Sequence, residues 1–318
     1  MSSVASIAVI GSLNMDLVIR APRRPHRGET LLGGTFGVTG GGKGSNQALA
    51  AARLGAEPWM VGQVGDDDFG QRLRDMLTEG GVDCAHLEAR TDAGTGVAVI
   101  TVTDDGESSI ILSQGANALL DVGALSRAQE VFAASDAAIF QMEIPPATVA
   151  EGLKMAKRAG CRTFLSAEPP FPMPPESWGL VDYLVLNEMA LAFYVPGHAS
   201  STPPSNEKLA EMARQLLSMG AGTVVVTQSS RGGMIFAPHG SSSFEPFKVH
   251  VVDNTGARDA FCAGLCVALA EGMSMERAAR FASAAGALAC TRIGAHTSMP
   301  WRKDVEALLE ETAGDYAG

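Results

Sequence analysis

The sequence predicts an α/β fold: a central, mostly parallel sheet flanked by helices, with a small β-sheet projecting from it. Three observations carry that prediction. Short apolar runs alternate with longer helix-like runs along most of the chain, the pattern of consecutive βαβ units. The 318 residues are 46% hydrophobic but only 6% aromatic, which suits small side chains packed tightly between helices and a sheet. Two segments, 17–37 and 95–113, break the alternation and account for the projecting sheet.

The strand predictions are 7–11, 58–64, 137–141, 163–165, 183–186 and 223–227. The helix predictions are 44–54, 69–79, 124–134, 147–159, 207–219, 260–271 and 275–290. The first strand, Ile7-Ala8-Val9-Ile10-Gly11, follows the N-terminus too closely to read as a signal peptide. Segment 17–37 is extended and carries prolines and glycines. Segment 95–113 alternates apolar and polar residues around Asp104-Asp105-Gly106, a hairpin pattern. These strands are suited to act as a lid and to pair with a second subunit. Residues 169–175 read as a proline-rich loop and 198–205 as an exposed connection. Residues 1–16, 38–94 and 114–318 are thus expected to form the α/β body, with 17–37 and 95–113 as its lid.

The net charge is −11 and no basic run stands out, which argues against nucleic-acid or anionic-membrane partners. A nucleotide remains compatible with this charge, because backbone amides and a metal ion can hold phosphates. No apolar run approaches the length of about 20 residues that spans a bilayer. The five cysteines, Cys84, Cys161, Cys262, Cys266 and Cys290, form no Cys-x-x-Cys pair and read as buried thiols in a reducing cytoplasm. The six histidines are scattered, so no zinc site is expected.

Three stretches carry the chemistry. In Asp253-Asn254-Thr255-Gly256-Ala257-Arg258-Asp259-Ala260-Phe261, a glycine-bearing turn opens a helix whose first turn holds a carboxylate. Free N–H groups at a helix start attract phosphate. A carboxylate beside them has an obvious use, taking the proton of a hydroxyl that attacks phosphorus. The second stretch is Gly40-Gly41-Gly42-Lys43-Gly44-Ser45-Asn46-Gln47. Gly37, Gly42 and Lys43 match most of a Walker A loop, but Gly44 stands where Ser or Thr should hold Mg²⁺, and no strand immediately precedes it. The Rossmann fingerprint fails too. Consecutive glycines carry an entropic penalty, so close approach of the backbone to a ligand is the better explanation. The third, Gly11-Ser12-Leu13-Asn14-Met15-Asp16, lies at a strand's C-terminal end, where open α/β sheets bind ligands. Asn14 and Asp16, two apart, can point the same way and grip neighbouring hydroxyls; taken alone, the stretch reads equally well as an Asx turn.

Together these motifs resemble the ribokinase (phosphofructokinase-B) family of sugar and nucleoside kinases. Gly115-Ala116-Asn117, Gln141-Met142-Glu143, Ser230-Arg231-Gly232 and the ending Arg292…Gly294-Ala295…Ser298-Met299-Pro300-Trp301 extend the resemblance over nearly the whole chain. It implies a kinase taking ATP with Mg²⁺, activated by K⁺, whose substrate is a pentose, ribose being favoured. Asn14, Asp16, Gly42, Asn46 and Glu143 would hold the sugar, with Lys43 by its phosphate-accepting end. Asp259 would be the general base for the 5-hydroxyl. Gly256, Ala257 and Arg258 would offer N–H groups to the phosphoryl group. Asn187, Thr227, Gln228, Ser229, Ser230, Arg231, Gly232 and Ser283 would line the ATP side. Asp253, Thr255, Ala289, Arg292, Gly294 and Ser298 match a potassium site. Dimerisation through the lid is implied as well.

The chain departs from the family on the nucleotide side. The usual Gly-Ala-Gly-Asp is Gly256-Ala257-Arg258-Asp259, and Asn-x-x-Glu becomes Asn187-Glu188-Met189-Ala190. Asn254 replaces threonine, Ser166-Ala167-Glu168 replaces an Asn-Pro-Ala-like turn, and Ser229 replaces glycine. A ribose kinase, a sugar-binding protein that has lost catalysis, and a kinase for another small sugar or nucleoside are the readings left open.

Overall fold

The computed structural model describes residues 4–312 except 106, 196, 198–201 and 203. In chain order the strands are β1 (Ser6–Ile10), β2 (Asn14–Ala21), β3 (Phe36–Gly41), β4 (Glu57–Gly65), β5 (Leu87–Arg90), β6 (Gly96–Thr103), β7 (Ser108–Ser113), β8 (Ala137–Gln141), β9 (Arg162–Ser166), β10 (Tyr183–Asn187), β11 (Thr223–Thr227), β12 (Gly233–Ala237) and β13 (Gly240–Phe244). The helices are α1 (Lys43–Arg53), α2 (Asp68–Glu79), α3 (Val122–Arg127), α4 (Gln129–Ala134), α5 (Pro146–Ala159), α6 (Glu188–Tyr194), α7 (Asn206–Ser218), α8 (Ala257–Ala270), α9 (Met275–Ala289) and α10 (Arg302–Glu311).

Nine strands form one sheet in the order β13-β12-β11-β10-β9-β8-β1-β4-β5. It is parallel from β11 to β5, and only the β11–β12 and β12–β13 pairings are antiparallel. Both faces are covered at its centre, so its central strands are largely apolar, while the edge strands β5 and β13 are partly polar and exposed. On β1, Ile7 and Val9 enter the core with α1, α8 and α9, while Ala8 and Ile10 enter the core with α4 and α5. Helix α8 is buried on every side from Asp259 to Leu269, as expected of a helix sandwiched between a sheet and other helices.

The chain leaves β1 for β4 on one side and later returns to β8 on the other. That reversal makes the C-terminal ends of β1 and β8 a topological switch point, where an open α/β sheet binds its ligand. The loop after β1 leads into the second sheet, ordered β3-β2-β6-β7. Its strands extend beyond the expected lid bounds, back to Asn14 and forward to Gly41. Asn14, Asp16 and Gly40 therefore stand on lid strands and not on the body. Gly106, in the expected hairpin turn, and most of the 198–205 connection lie outside the described residues.

Two other expectations are corrected. Helix 124–134 is two helices, α3 and α4, because Ala128 leaves helical geometry and its N–H is shared between the Ala124 and Leu125 carbonyls at 3.2 and 3.1 Å. The β12–β13 hairpin was unread, because Gly240-Ser241-Ser242-Ser243-Phe244 lacks the apolar alternation of a half-buried strand. The expected thiols are all free, with Cys290 partly exposed and the others buried. No helix among the described residues is long and apolar enough to cross a membrane.

Helix α1 can reach β1 only because two glycines meet. A Cβ on Gly44 would stand 2.7 Å from the carbonyl carbon of Gly11, closer than such atoms pack. Gly44→Ala should push α1 off β1 and destabilise the chain by roughly 1–3 kcal/mol. Urea denaturation reads this as a lower midpoint; an unchanged midpoint would mean that the contact has slack.

Candidate active site

The site is assembled at the switch point. Ser12, just past β1, donates its hydroxyl hydrogen to Glu143 Oε2 at 2.6 Å, just past β8. The Lys43 backbone N–H at the start of α1 donates to Ser12 Oγ at 3.1 Å. One hydroxyl thus joins the ends of two strands to the start of a helix. Gly42 caps that helix at φ 93°, and a Cβ there would stand 2.7 Å from the Asn14 nitrogen. Only glycine accepts both the angle and the approach. A Cβ on Gly41 would sit 2.2 Å from the Asp16 carboxylate, so the glycine run leaves room for side chains of β2.

Asn14 and Asp16 project from the same face of β2, as their spacing implies. Asn117 fixes the first of them. Its amide donates to Asn14 Oδ1 and to the Leu13 carbonyl, both at 2.9 Å, and accepts from the Leu13 N–H at 2.9 Å. Asp16 is buried. Burial, with the Glu143 and Asp259 carboxylates nearby, pushes its carboxyl from 3.8 up to about 7. Asp16, Glu143 and Asp259 therefore belong to one electrostatic cluster. Lys43 is the cation among them. Desolvation works against its charge, but Asp259, Glu143 and Glu168 outweigh that and raise its pKa.

Asp259 is buried in the first turn of α8. Both its oxygens are held by uncharged donors from α1: Asn46 Nδ2 at 2.8 Å and Gln47 Nε2 at 3.0 Å. Gln141 Nε2 donates in turn to Gln47 Oε1 at 2.7 Å, tying β8 to the same carboxylate. Asn46 Oδ1 is buried without a partner, so it can accept from a ligand hydroxyl. Gly256 caps α8 at φ 77°, and the N–H groups of that first turn have no partner within the helix.

The opposite flank is tied by ion pairs. Arg258 NH1 bonds Glu168 Oε2, and Glu168 Oε1 accepts the Asn187 N–H at 2.8 Å. The Asn187 side chain caps α6 by accepting from the Ala190 N–H at 2.7 Å. Glu188 accepts from Arg231 at 2.6 Å and from Gln228 at 3.2 Å. Ser229 has φ 53°, a left-handed conformation that glycine adopts without strain. Ser229, Ser230 and Arg231 are exposed, while Gly232 is buried. The Ser283 hydroxyl donates to the Glu245 carbonyl at 3.1 Å.

Beside α8, the Asp253 carboxylate accepts from Thr255 N–H at 2.9 Å, Thr255 Oγ1 at 2.7 Å and Gly294 N–H at 2.8 Å. Ser298 Oγ approaches the Thr255 carbonyl at 3.4 Å. Asp253, Thr255, Gly294 and Ser298 therefore cluster. The Arg292 side chain points instead to Asp304, at 3.8 Å, and Ala289 has no side-chain donor to offer.

Comparison with known proteins matches residues 4–302 to the pfkB family carbohydrate kinase profile. This chain belongs to the pfkB family of carbohydrate kinases. It is 36% identical to ribokinase of Bacillus subtilis over 96% of its own length and 99% of that protein. Mouse (Mus musculus) ribokinase is 34% identical, over 96% of this chain and 95% of that one. Arabidopsis thaliana ribokinase, solved in complex with ribose and ATP, superposes with a TM-score of 0.88 at 30% identity, over 96% and 99% of the two chains. The pfkB chain described here is accordingly a phosphotransferase acting on a sugar hydroxyl.

Within this pfkB enzyme, the tertiary structure adds residues that motif reading passed over. Ser12, Gln47 and Gln141 act through hydrogen bonds between elements, which no short motif encodes. Glu168, read from sequence only as a departure from the family pattern, gains a role through its contacts with Arg258 and the Asn187 N–H. His296 was also missed: it is buried, its Nε2 lies 3.0 Å from Ser45 Oγ, and Ser45 bonds the Gly41 carbonyl. Burial lowers His296 to about 4.

Asp16 and His296 have opposite effects on stability. The folded chain keeps a proton on Asp16 between about pH 4 and 7 that the unfolded chain has released, so this contribution falls as pH rises. The unfolded chain protonates His296 below about 6.5, which the folded chain resists down to about 4, so this contribution falls as pH falls. Asp16→Asn removes the first effect and leaves the second unopposed. The variant should be more stable than the parent at pH 8 and lose more stability between pH 7 and 4. Urea unfolding across that range tests this; parallel profiles would refute the raised pKa.

Proposed function

We propose that this enzyme phosphorylates the 5-hydroxyl of D-ribose, using MgATP and yielding D-ribose 5-phosphate and ADP. The observation that carries the reading is the buried Asp259 carboxylate, oriented by Asn46 and Gln47 where the sugar cluster meets the free N–H groups of α8. The relatives named ribokinase, and the solved relative bound to ribose and ATP, support ribose as the sugar. Asn14, Asp16, Gly42, Asn46 and Glu143 bind the sugar, and Lys43 balances the charge gathered around it. Each Asp259 oxygen accepts one amide hydrogen and retains a lone pair for the sugar hydroxyl. Asp259 takes the proton of O5 as O5 bonds the γ-phosphorus, and the bond from that phosphorus to the bridging oxygen breaks to release ADP. Gly256, Ala257 and Arg258 offer backbone N–H groups to the transferring phosphoryl group. Asn187, the 227–232 turn and Ser283 line the adenosine side.

Mg²⁺ arrives with the triphosphate, keeping waters and phosphate oxygens as ligands. The nearby carboxylates, Glu168 and Glu188, are both engaged with arginines and would contact it through water. The oxygen atoms clustered at Asp253, Thr255 and Ser298 beside Gly294 would suit K⁺, and Ala289 and Arg292 are assigned to that site by the family resemblance alone. Phe36, Val99, Ile110 and Ile111 leave the lid sheet exposed and apolar, which favours pairing with a second copy.

The Arg258–Glu168 pair beside the anion hole favours a second reading, a sugar-binding protein without turnover. Ribose-dependent ADP release with MgATP, run with and without K⁺ and against deoxyribose, fructose and adenosine, separates the readings. Asp259→Asn should retain ribose binding by calorimetry and lose kcat by about 10²–10⁴-fold. An unchanged kcat would remove Asp259 from the role of base.

A further inference from the structure

Arg258 and Glu168 depart from the family pattern together, and they touch one another. Arg258 is the second residue of α8, immediately before Asp259. Its side chain crosses to Glu168, just past β9. Glu168 is buried and its other oxygen holds the Asn187 N–H at the end of β10. The pair therefore bridges the start of α8 and the strand ends on the nucleotide side. It also stands within the electrostatic reach of Lys43.

The pair is incompletely bonded. One guanidinium nitrogen, NH1, bonds Glu168, while the Nε hydrogen is buried with no acceptor among the described residues. A guanidinium carries five donors in a fork suited to phosphate. Glu168, in contrast, keeps a partner in the Asn187 N–H if the arginine leaves. Neither an arginine fixed solely by packing nor a fully satisfied bidentate pair would show this asymmetry.

We infer that Arg258 and Glu168 form an exchangeable latch: Glu168 holds the guanidinium until a nucleoside triphosphate takes it over, making Arg258 a side-chain ligand of the donor's phosphates. Triphosphate and Glu168 then compete for one cation. The exchange substitutes a charged side chain for the close backbone approach that glycine permits in the family. It rests on the kinase reading only in the identity of the ligand, because binding requires no transfer.

The test is a double-mutant cycle read as the Kd for ATP by calorimetry, with ribose Kd and thermal stability as folding controls. Arg258→Ala should weaken ATP by roughly 10- to 100-fold, the range for a lost hydrogen bond to a charged group. Glu168→Gln keeps an oxygen for the Asn187 N–H but releases the arginine, and should tighten ATP several-fold. In the double variant the benefit of Glu168→Gln should vanish. ATP binding by Arg258→Ala that equals or exceeds the parent's would mean that the arginine merely fills the site, overturning the latch. So would an equal effect of Glu168→Gln with and without Arg258, or no ATP binding by the parent at millimolar nucleotide. A parent that binds ribose and ATP without releasing ADP would defeat the kinase reading and leave the latch intact.

Discussion

A carboxylate buried at the start of a helix, beside two other carboxylates, must be held by hydrogen-bond donors. Asn46 and Gln47 are those donors for Asp259. Both lie on α1, which presses against the end of β1 only because Gly44 meets Gly11. The packing of the body and the aim of the carboxylate are thus one constraint. Loosening the glycine contact would move the amides, and the carboxylate with them.

Around that point the molecule separates two kinds of electrostatics. The flank proposed above for the sugar concentrates acid: Asp16, Glu143 and Asp259 share one cluster with Lys43 as its cation. Burial, reinforced by the neighbouring carboxylates, raises Asp16 toward neutrality, and Lys43 is stabilised as charged. The other flank, proposed above for the nucleotide, instead neutralises each acid with an arginine, Glu168 with Arg258 and Glu188 with Arg231. Under the proposed function, a polyanionic donor approaching that flank would meet paired charges and the N-terminal N–H groups of α8, not bare carboxylates.

The lid strands are part of this arrangement. Because β2 begins at Asn14 and β3 ends at Gly41, any movement of the lid sheet carries Asn14 and Asp16 with it. Under the proposed function, sugar contact and the position of this sheet would be mechanically coupled, which is how a kinase can exclude water while the phosphoryl group is in flight. Asn117 links the same strand to the body through Leu13 and Asn14.

Much of this was legible in the residues. Alternating apolar and helical runs determined the parallel sheet, because each buried strand must be apolar and each crossover helix long enough to return. Glycine placement marked the loop before α1 and the turn before α8, because only glycine tolerates those angles and approaches. The spacing of Asn14 and Asp16 put both on one face of a strand. What the sequence could not determine was partnership across the chain. Gln47 and Gln141, 94 residues apart, and Arg258 and Glu168, 90 apart, meet only after the sheet has brought its strand ends together. The same holds for Ser12 with Glu143 and for Ser45 with His296. Local residue patterns dictate backbone conformation, which is a short-range property. Hydrogen bonds and charge pairs between distant segments depend on where those segments come to lie, and that was decided by tertiary packing.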